Sequence, residues 1–479
     1  MMNLAKIRKE DLFESFASPW KTDLFQEIKA IVKAMKRKVV VIDDDPTGVQ
    51  TVHDVPIFTG WSKEELRSAL SDNSTTVYLL TNSRSFPLAQ AEEINREIGE
   101  NLAAVMKELR LDIEVISRSD STLRGHYPGE VNALRKSLED NLVIKFDAEI
   151  VIPFFMEGGR FTANDIHWVE EGKWLIPVHK TEFAKDQVFG YQHSNLSEWI
   201  EEKMQGKHKA KDVISVTLND LRLKGPLRVE KILEDLEGEK KVIVNSLTYR
   251  DIEVFVLGLL KAEEKGKRFI FRTAASFVKV RGAIEDIPLL SPEQIYQNKD
   301  TGKGNGIIAV GSYIRMSTDQ LNEALKLERV KGIELKVKNL FDQKSREEEI
   351  ESALAKAEQT FNSGKHVLVY TSRKEIRPGS DKEKLKIGRM FSNALVEVLK
   401  RVQIKPSFVI AKGGITASDI ATRALGIRKA LVKGQLEPGI PVWIPGDESR
   451  FPLVPYVVFP GNVGQKDSLA RIIEKLEKN

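Results

Sequence analysis

The 479-residue sequence contains no cysteine. That absence excludes disulfides, thiolate-ligated zinc, iron–sulfur clusters and thiol nucleophiles together, and a reducing compartment is the expectation. Long apolar runs are missing too. The longest, Val254 to Leu260, falls far short of the ~20 residues a membrane span needs. The opening MMNLAKIRKEDLFESF has neither the apolar centre nor the small-residue cleavage site of a secretory signal, so the cytoplasm is the expected location, with no membrane partner. Charge of one sign is lacking: 74 Lys+Arg stand against 70 Asp+Glu, a formal +4. Nucleic-acid binding would need base clustered on one face. The short stretches Lys33 to Lys38 and Met204 to Lys211 read instead as a solvated helix end and a surface loop. The seven histidines show no HExxH or tight HxH spacing, so no dedicated metal site is expected.

What is present is ordinary globular composition, 41% hydrophobic and 30% charged, enough for large cores in two to four domains at about 100–200 residues each. Residues 1 to 36 read as amphipathic helix. The first strand, Lys38 to Asp43, has consecutive apolar residues, the pattern of a strand buried on both faces of a parallel sheet. Similar runs follow at Val77 to Thr81, Ile113 to Ser117, Glu149 to Pro153, Val242 to Asn245 and Phe269 to Arg272, with helical segments such as Leu88 to Leu109 between them. The proline-containing, then polar and glycine-bearing stretch 284 to 305 reads as a linker. A second series follows: Ile307 to Ser312, Ile333 to Val337, His366 to Ser372, Phe408 to Gly414, Pro441 to Pro445 and Tyr456 to Asn462. The expectation is two α/β domains with largely parallel sheets, residues 1–290 and 300–479, and an active site in the cleft between them.

Chemistry concentrates at strand ends. Asp43-Asp44-Asp45-Pro46-Thr47-Gly48 closes the first strand. Three adjacent carboxylates need solvent, cations or a metal to stay ionised. Ser117 to His126 packs Arg118, Asp120, Ser121, Arg124 and Gly125 into one loop; guanidinium forks suit carboxylate or phosphate, and the hydroxyls suit a polyol. Thr81 to Ser85 adds Ser83 and Arg84. Phe154 to Thr162 could bring Arg160 to an anion, or could simply turn a β-hairpin. Together these loops suit a small hydroxylated anion.

The second domain uses glycines and hydroxyls: Lys412-Gly413-Gly414-Ile415-Thr416, Gly461-Asn462-Val463-Gly464, and Ser312 after Gly311. Such loops at helix N-termini cradle phosphates with backbone N–H groups. No GxxxxGK[ST] occurs, and Gly302 to Gly306 precedes a strand instead of following one, so the common nucleotide fingerprints do not apply.

DDDPTG, TNSRS, SRSDSTLRGHYPGE, KGGITASDIA, QLEPGIPVW and PGNVGQKDSL resemble the four-carbon acid sugar kinase family over nearly the whole chain. The resemblance implies an N-terminal substrate domain and a C-terminal nucleotide domain. It implies transfer of phosphate from ATP, with Mg²⁺ carried on the nucleotide, to the terminal hydroxyl of an acid such as threonate, erythronate or 3-oxo-tetronate. Carried onto matching positions, Asp44, Asp45 and Arg124 are catalytic. Thr47, Gly48, Ser83, Arg84, Arg118, Asp120, Ser121 and Gly125 bind substrate. Ser312, Gly413, Gly414, Thr416, Gly439, Gly461, Asn462 and Gly464 bind the nucleotide. Ile415 stands where family members often carry an acid. The chain is longer than the family's usual length, with the excess expected in the N-terminal helix and around 195 to 240. Self-association is left open.

Two rival readings stand beside this one. Asp43-x-Asp45-x-Thr47 also fits the nucleophile motif of haloacid-dehalogenase-type phosphatases, although no later lysine and acidic pair follows in the expected order and the second domain goes unexplained. A non-catalytic acid-sugar sensor would bind without turnover.

Overall fold

The computed structural model describes residues 4–296, 304–312, 314–372 and 381–477, with 381–388 described in backbone only. Part of the expected linker (297–303) and Tyr313 lie outside the described residues. The chain forms two compact units: Met1–Asp44 with Gly60–Glu285, and Asp45–Thr59 with Asp286–Asn479. A single break near residue 290 does not anticipate the short excursion Asp45–Thr59, which packs with the second unit.

In the first unit, Lys38–Asp43 is buried along almost its whole length. Thr76–Leu80 pairs with it on one side and Ile113–Arg118 on the other, both parallel. The sheet continues in parallel through Phe269–Thr273, Ala148–Ile152, Lys240–Val244 and Ile214–Val216. The chain thus leaves the central strand first to one side and then to the other, and a crevice opens at its carboxyl end, where Asp43 and Asp44 sit. Behind the sheet, helices Leu88–Leu109 and Gly129–Leu142 approach closely. A Cβ on Gly99 would lie 2.7 Å from the Ser137 side chain, so glycine permits the contact that seats the second helix.

The helix expected over residues 1 to 36 is interrupted. A short strand, Ile7–Arg8, precedes helix Lys9–Glu14, and helix Phe25–Met35 begins only after a non-helical stretch containing Pro19. Proline inside a helix removes a hydrogen bond and clashes with the preceding turn. Ile7–Arg8 instead joins a 4-stranded antiparallel sheet with Trp174–Pro177, Ile166–Glu171 and Arg160–Ala163.

In the second unit, Val330–Leu335, His366–Thr371, Ile307–Val310, Val409–Lys412 and Tyr456–Phe459 form a parallel series in that order. Ile440–Pro445, Lys429–Glu437 and Val55–Phe58 extend it antiparallel. Lys429–Glu437 alternates buried and partly exposed residues, as expected of a strand covered on one face. Ile307–Val310 lies between strands that follow it by different routes, so a second crevice opens beyond Val310. Leu321, Ile410, Val457 and Ile473 build the core beneath it. The expected α/β class with two domains and mostly parallel strands is the one observed. Among the described residues, no helix is long and apolar enough to cross a membrane.

Candidate functional site

The first unit gathers its polar groups at the end of Lys38–Asp43. Asp43 is fully buried, and Arg118 Nη1 lies 3.0 Å from its Oδ1. The Asp43 carbonyl accepts from both the N–H and the hydroxyl of Thr81, each at 2.9 Å. The Thr81 hydroxyl lies 2.9 Å from that of Ser83. Asp44 accepts from the Ser119 hydroxyl at 2.7 Å through Oδ2, whereas its buried Oδ1 makes no hydrogen bond among the described residues and has Arg118 Nη1 at 3.8 Å. Gly125 lies against this pair: a Cβ there would sit 2.7 Å from Ser119 Oγ and 3.3 Å from Asp44 Oδ2, and its φ of +119° also requires glycine.

Asp120 is the second charge centre. Arg124 Nε donates to it at 3.0 Å, Arg84 Nη1 lies 3.2 Å away, and the Thr122 hydroxyl also donates. Burial alone would raise the Asp120 carboxyl, but the Arg124 and Arg84 guanidiniums hold it far below the usual range. The loop's backbone is fixed from below. Arg272, buried on strand Phe269–Thr273, donates from Nη2 to the carbonyls of Asp120 and Arg124 at 2.8 and 3.1 Å. His167 Nε2 lies 2.8 Å from the Ser121 carbonyl, so Nε2 carries the proton and Nδ1 accepts from Thr162. Burial lowers the His167 imidazole to about 3, and it stays neutral. Glu130, at the start of Gly129–Leu142, is pushed up to about 7 by burial and then by the charge of Asp44.

The second unit assembles the glycine–hydroxyl loops. Ser317 Oγ is 2.9 Å from both Ser312 Oγ and the Gly461 carbonyl, tying two strand ends together. A Cβ on Gly311 would lie 2.1 Å from Thr416 Oγ1, and one on Gly461 2.8 Å from Ser312 Oγ. Gly413 has φ +118° and would place a Cβ 3.2 Å from the Ser312 nitrogen. Gly439 accepts from Gln50 at 3.2 Å and faces Val463. Gly464 lies against Ser468, and Asn462 is exposed on the turn. Asp45 belongs here as well. It accepts from the N–H and hydroxyl of Thr47, its carbonyl accepts from Gly48, and its Oδ2 faces Gly414. The fully buried Lys412 donates to the Pro460 carbonyl at 2.9 Å and lies over the Phe459 ring.

The structure therefore divides the acidic run: Asp43 and Asp44 belong to the first unit, Asp45, Thr47 and Gly48 to the second. Sequence reasoning did not find Ser119, Glu130, His167 or Arg272 as parts of the site. Glu130 and Ser119 sit inside or just beyond a motif already singled out. His167 and Arg272 come from distant strands, where a single polar residue in an apolar run was the only sign.

These features match known domains. Residues 39–281 match a sugar-binding N-terminal domain, and residues 307–469 a nucleotide-binding C-terminal domain. The chain belongs to the four-carbon acid sugar kinase family. The sugar-binding match covers the first unit from residue 39 together with the excursion Asp45–Thr59, and the nucleotide-binding match lies within the second unit. A Haemophilus influenzae protein assigned to a domain family of unknown function is 18% identical, over 91% of this chain and 99% of its own, with a TM-score of 0.61. A Salmonella typhimurium protein bearing a provisional tRNA-synthase name is 15% identical, over 91% of this chain and 98% of its own, with a TM-score of 0.65. Both likenesses concern the fold. No curated protein matches the chain.

Proposed function

We propose that this family member is an ATP-dependent kinase that phosphorylates the terminal hydroxyl of a four-carbon acid sugar of the threonate, erythronate or 3-oxo-tetronate type. One observation carries the reading: Asp44 holds one carboxylate oxygen fixed by Ser119 while the other is a buried acceptor with no hydrogen-bond donor among the described residues. An oriented carboxylate with a vacant lone pair is what a general base needs to take a hydroxyl proton. Asp44 is the base in this scheme. The hydroxyls and guanidiniums of the Arg84 and Ser117–Gly125 loops orient the acid and its polyol. Phosphoryl transfer is mostly positioning and charge stabilisation, and the glycine loops around Ser312, Gly413 and Gly461 offer backbone N–H groups to phosphates.

Among the described residues, no group of three or more His, Asp or Glu side chains could by itself hold a metal. Oxygen donors suit Mg²⁺ arriving on the nucleotide, and Asp45, in the nucleotide-binding unit beside Gly414, is the carboxylate that would meet it. Such an ion supplies charge neutralisation on the phosphates. The phosphatase alternative would need Asp43 as a nucleophile, yet Asp43 is fully buried and paired with Arg118.

The test is a coupled ADP-release assay with Mg²⁺ against both stereoisomers of threonate and erythronate and the 3-oxo acids. Substrate-dependent ADP release is expected. Silence across the panel, with phosphate released from sugar phosphates in the absence of ATP, would replace the kinase by the phosphatase.

A further inference from the structure

The hairpin that follows strand Ala148–Ile152 presents one side chain that no step above has used. Phe155 and Arg160 exchange backbone hydrogen bonds at 3.1 and 2.9 Å, and Gly159, at φ +70°, closes the turn. This geometry fixes Arg160 at the start of Arg160–Ala163. Its guanidinium carbon lies 5.6 Å from the centre of the Phe183 ring, and that of Arg124 lies 5.0 Å from the same ring. One aromatic ring thus has two cations beside it.

Their partners are unequal. Arg124 pairs with Asp120 and has Asp186 at 3.9 Å. Arg84 also pairs with Asp120. Arg160 makes no ion pair and no side-chain hydrogen bond among the described residues, and its Nε is buried without a partner. Burial lowers the Arg160 guanidinium most; the charge of Asp120 raises it, that of Arg124 lowers it, and that of Glu170 raises it again. Glu170 also acts on Arg160 but is itself paired with Lys9 at 2.9 Å, so the three guanidiniums against Asp120 and Asp186 still leave one positive charge in excess, with an unused planar fork on Arg160. Bringing two like charges to one ring is unfavourable unless an anion joins them. A single carboxylate has the charge and the bidentate geometry that the fork matches.

We propose that Arg160, seated with Arg124 on the ring of Phe183, binds the carboxylate of the substrate and selects acid sugars over neutral polyols. The proposal rests on the kinase reading and names the group that reads the acid. It also places a substrate-binding residue outside the strand-end loops of the first three motifs. Arg118 has a different duty, because it is buried against Asp43.

The experiment compares wild type with Arg160→Met, which keeps the stem but not the fork, and with Arg160→Lys and Phe183→Leu. Steady-state kinetics uses threonate and erythronate, with threitol and erythritol as neutral counterparts. Calorimetry measures binding of the two acids without ATP. A charge-assisted bidentate contact is worth about 10- to 100-fold in affinity. Arg160→Met is therefore expected to raise KM for the acid about 30-fold or more, with kcat changed less than about threefold and KM for ATP unchanged. The acid-over-polyol preference should collapse by the same factor, and Arg160→Lys should restore it only in part. Phe183→Leu should weaken acid binding by a smaller factor. Unchanged acid binding in folded Arg160→Met, or a change confined to KM for ATP, overturns the proposal. Wild type that binds the acids but turns none over would refute the kinase reading, and calorimetry on the variants would still decide the role of Arg160.

Discussion

Two buried titratable groups in the sugar-binding unit respond to pH in opposite directions. Glu130 has its carboxyl raised to about 7 by burial and by Asp44. The folded state therefore holds its proton where the unfolded chain would release it, and stability falls as pH rises from about 4.5 through 7. The loss is about 3 kcal/mol from this group. Glu130→Gln keeps the neutral shape, so the difference in Tm between variant and wild type should grow in the variant's favour from pH 5 to pH 8. A constant difference would remove the assignment. His167 is the converse case. Its imidazole is depressed to about 3 by burial, so its contribution is complete above pH 6.5 and drains away as pH falls toward 3. Nitrogen-resolved NMR should show a single Nε2–H tautomer with no titration above about pH 4. Asp44→Asn should lower kcat by about 10²–10⁴-fold while the protein still folds, because the amide oxygen can still accept from Ser119; unchanged turnover would remove the base from Asp44. At this scale the sequence was legible where the groups are neighbours in one loop, as with Asp120, Ser121 and Arg124. It was silent about Arg272 and His167, because a side chain that reaches a loop from another strand leaves no local pattern.

At the level of elements, the proposed nucleotide cradle is built from strand ends whose closeness demands glycine. Gly413, at φ +118° and ψ +134°, lies in a region nearly reserved for glycine, where an alanine costs about 1–3 kcal/mol, and its Cβ would press on the Ser312 nitrogen. Gly413→Ala should therefore weaken ATP binding by about tenfold or more, measured by calorimetry, while leaving acid-sugar binding intact. Equal loss of both ligands would point to general unfolding instead. Consecutive apolar residues announced nearly every parallel strand, since a strand covered on both faces has no polar side to hide the signal. The interrupted N-terminus and the antiparallel additions were harder. Ile7–Arg8 has only two residues, too few for any periodicity. Lys429–Glu437 alternates, but it carries two bulge-like register shifts near Gly434 and Gln435 that break its rhythm.

For the whole molecule, the two units are not successive stretches of chain. Val55–Phe58 belongs to the second unit through its pairing with Lys429–Glu437, although the rest of that unit begins at Asp286. A fragment limited to residues 286–479 would leave Lys429–Glu437 without this neighbour. Such a fragment should melt lower or aggregate, and a synthetic peptide spanning 45–59 should raise its Tm when added. An unaffected fragment would show the pairing to be dispensable. No local feature of the sequence could announce this exchange, because hydrophobic patterning identifies a strand but not the partner it will choose. The exchange also sets a clock for synthesis. The Thr59 hydroxyl finally donates to the Ile427 carbonyl, 368 residues further along. At about 5–20 residues per second, the ribosome needs roughly 20–70 s to supply that partner. Throughout that interval the segment must stay out of wrong pairings, and Pro56, with no N–H to offer another strand, is suited to the wait.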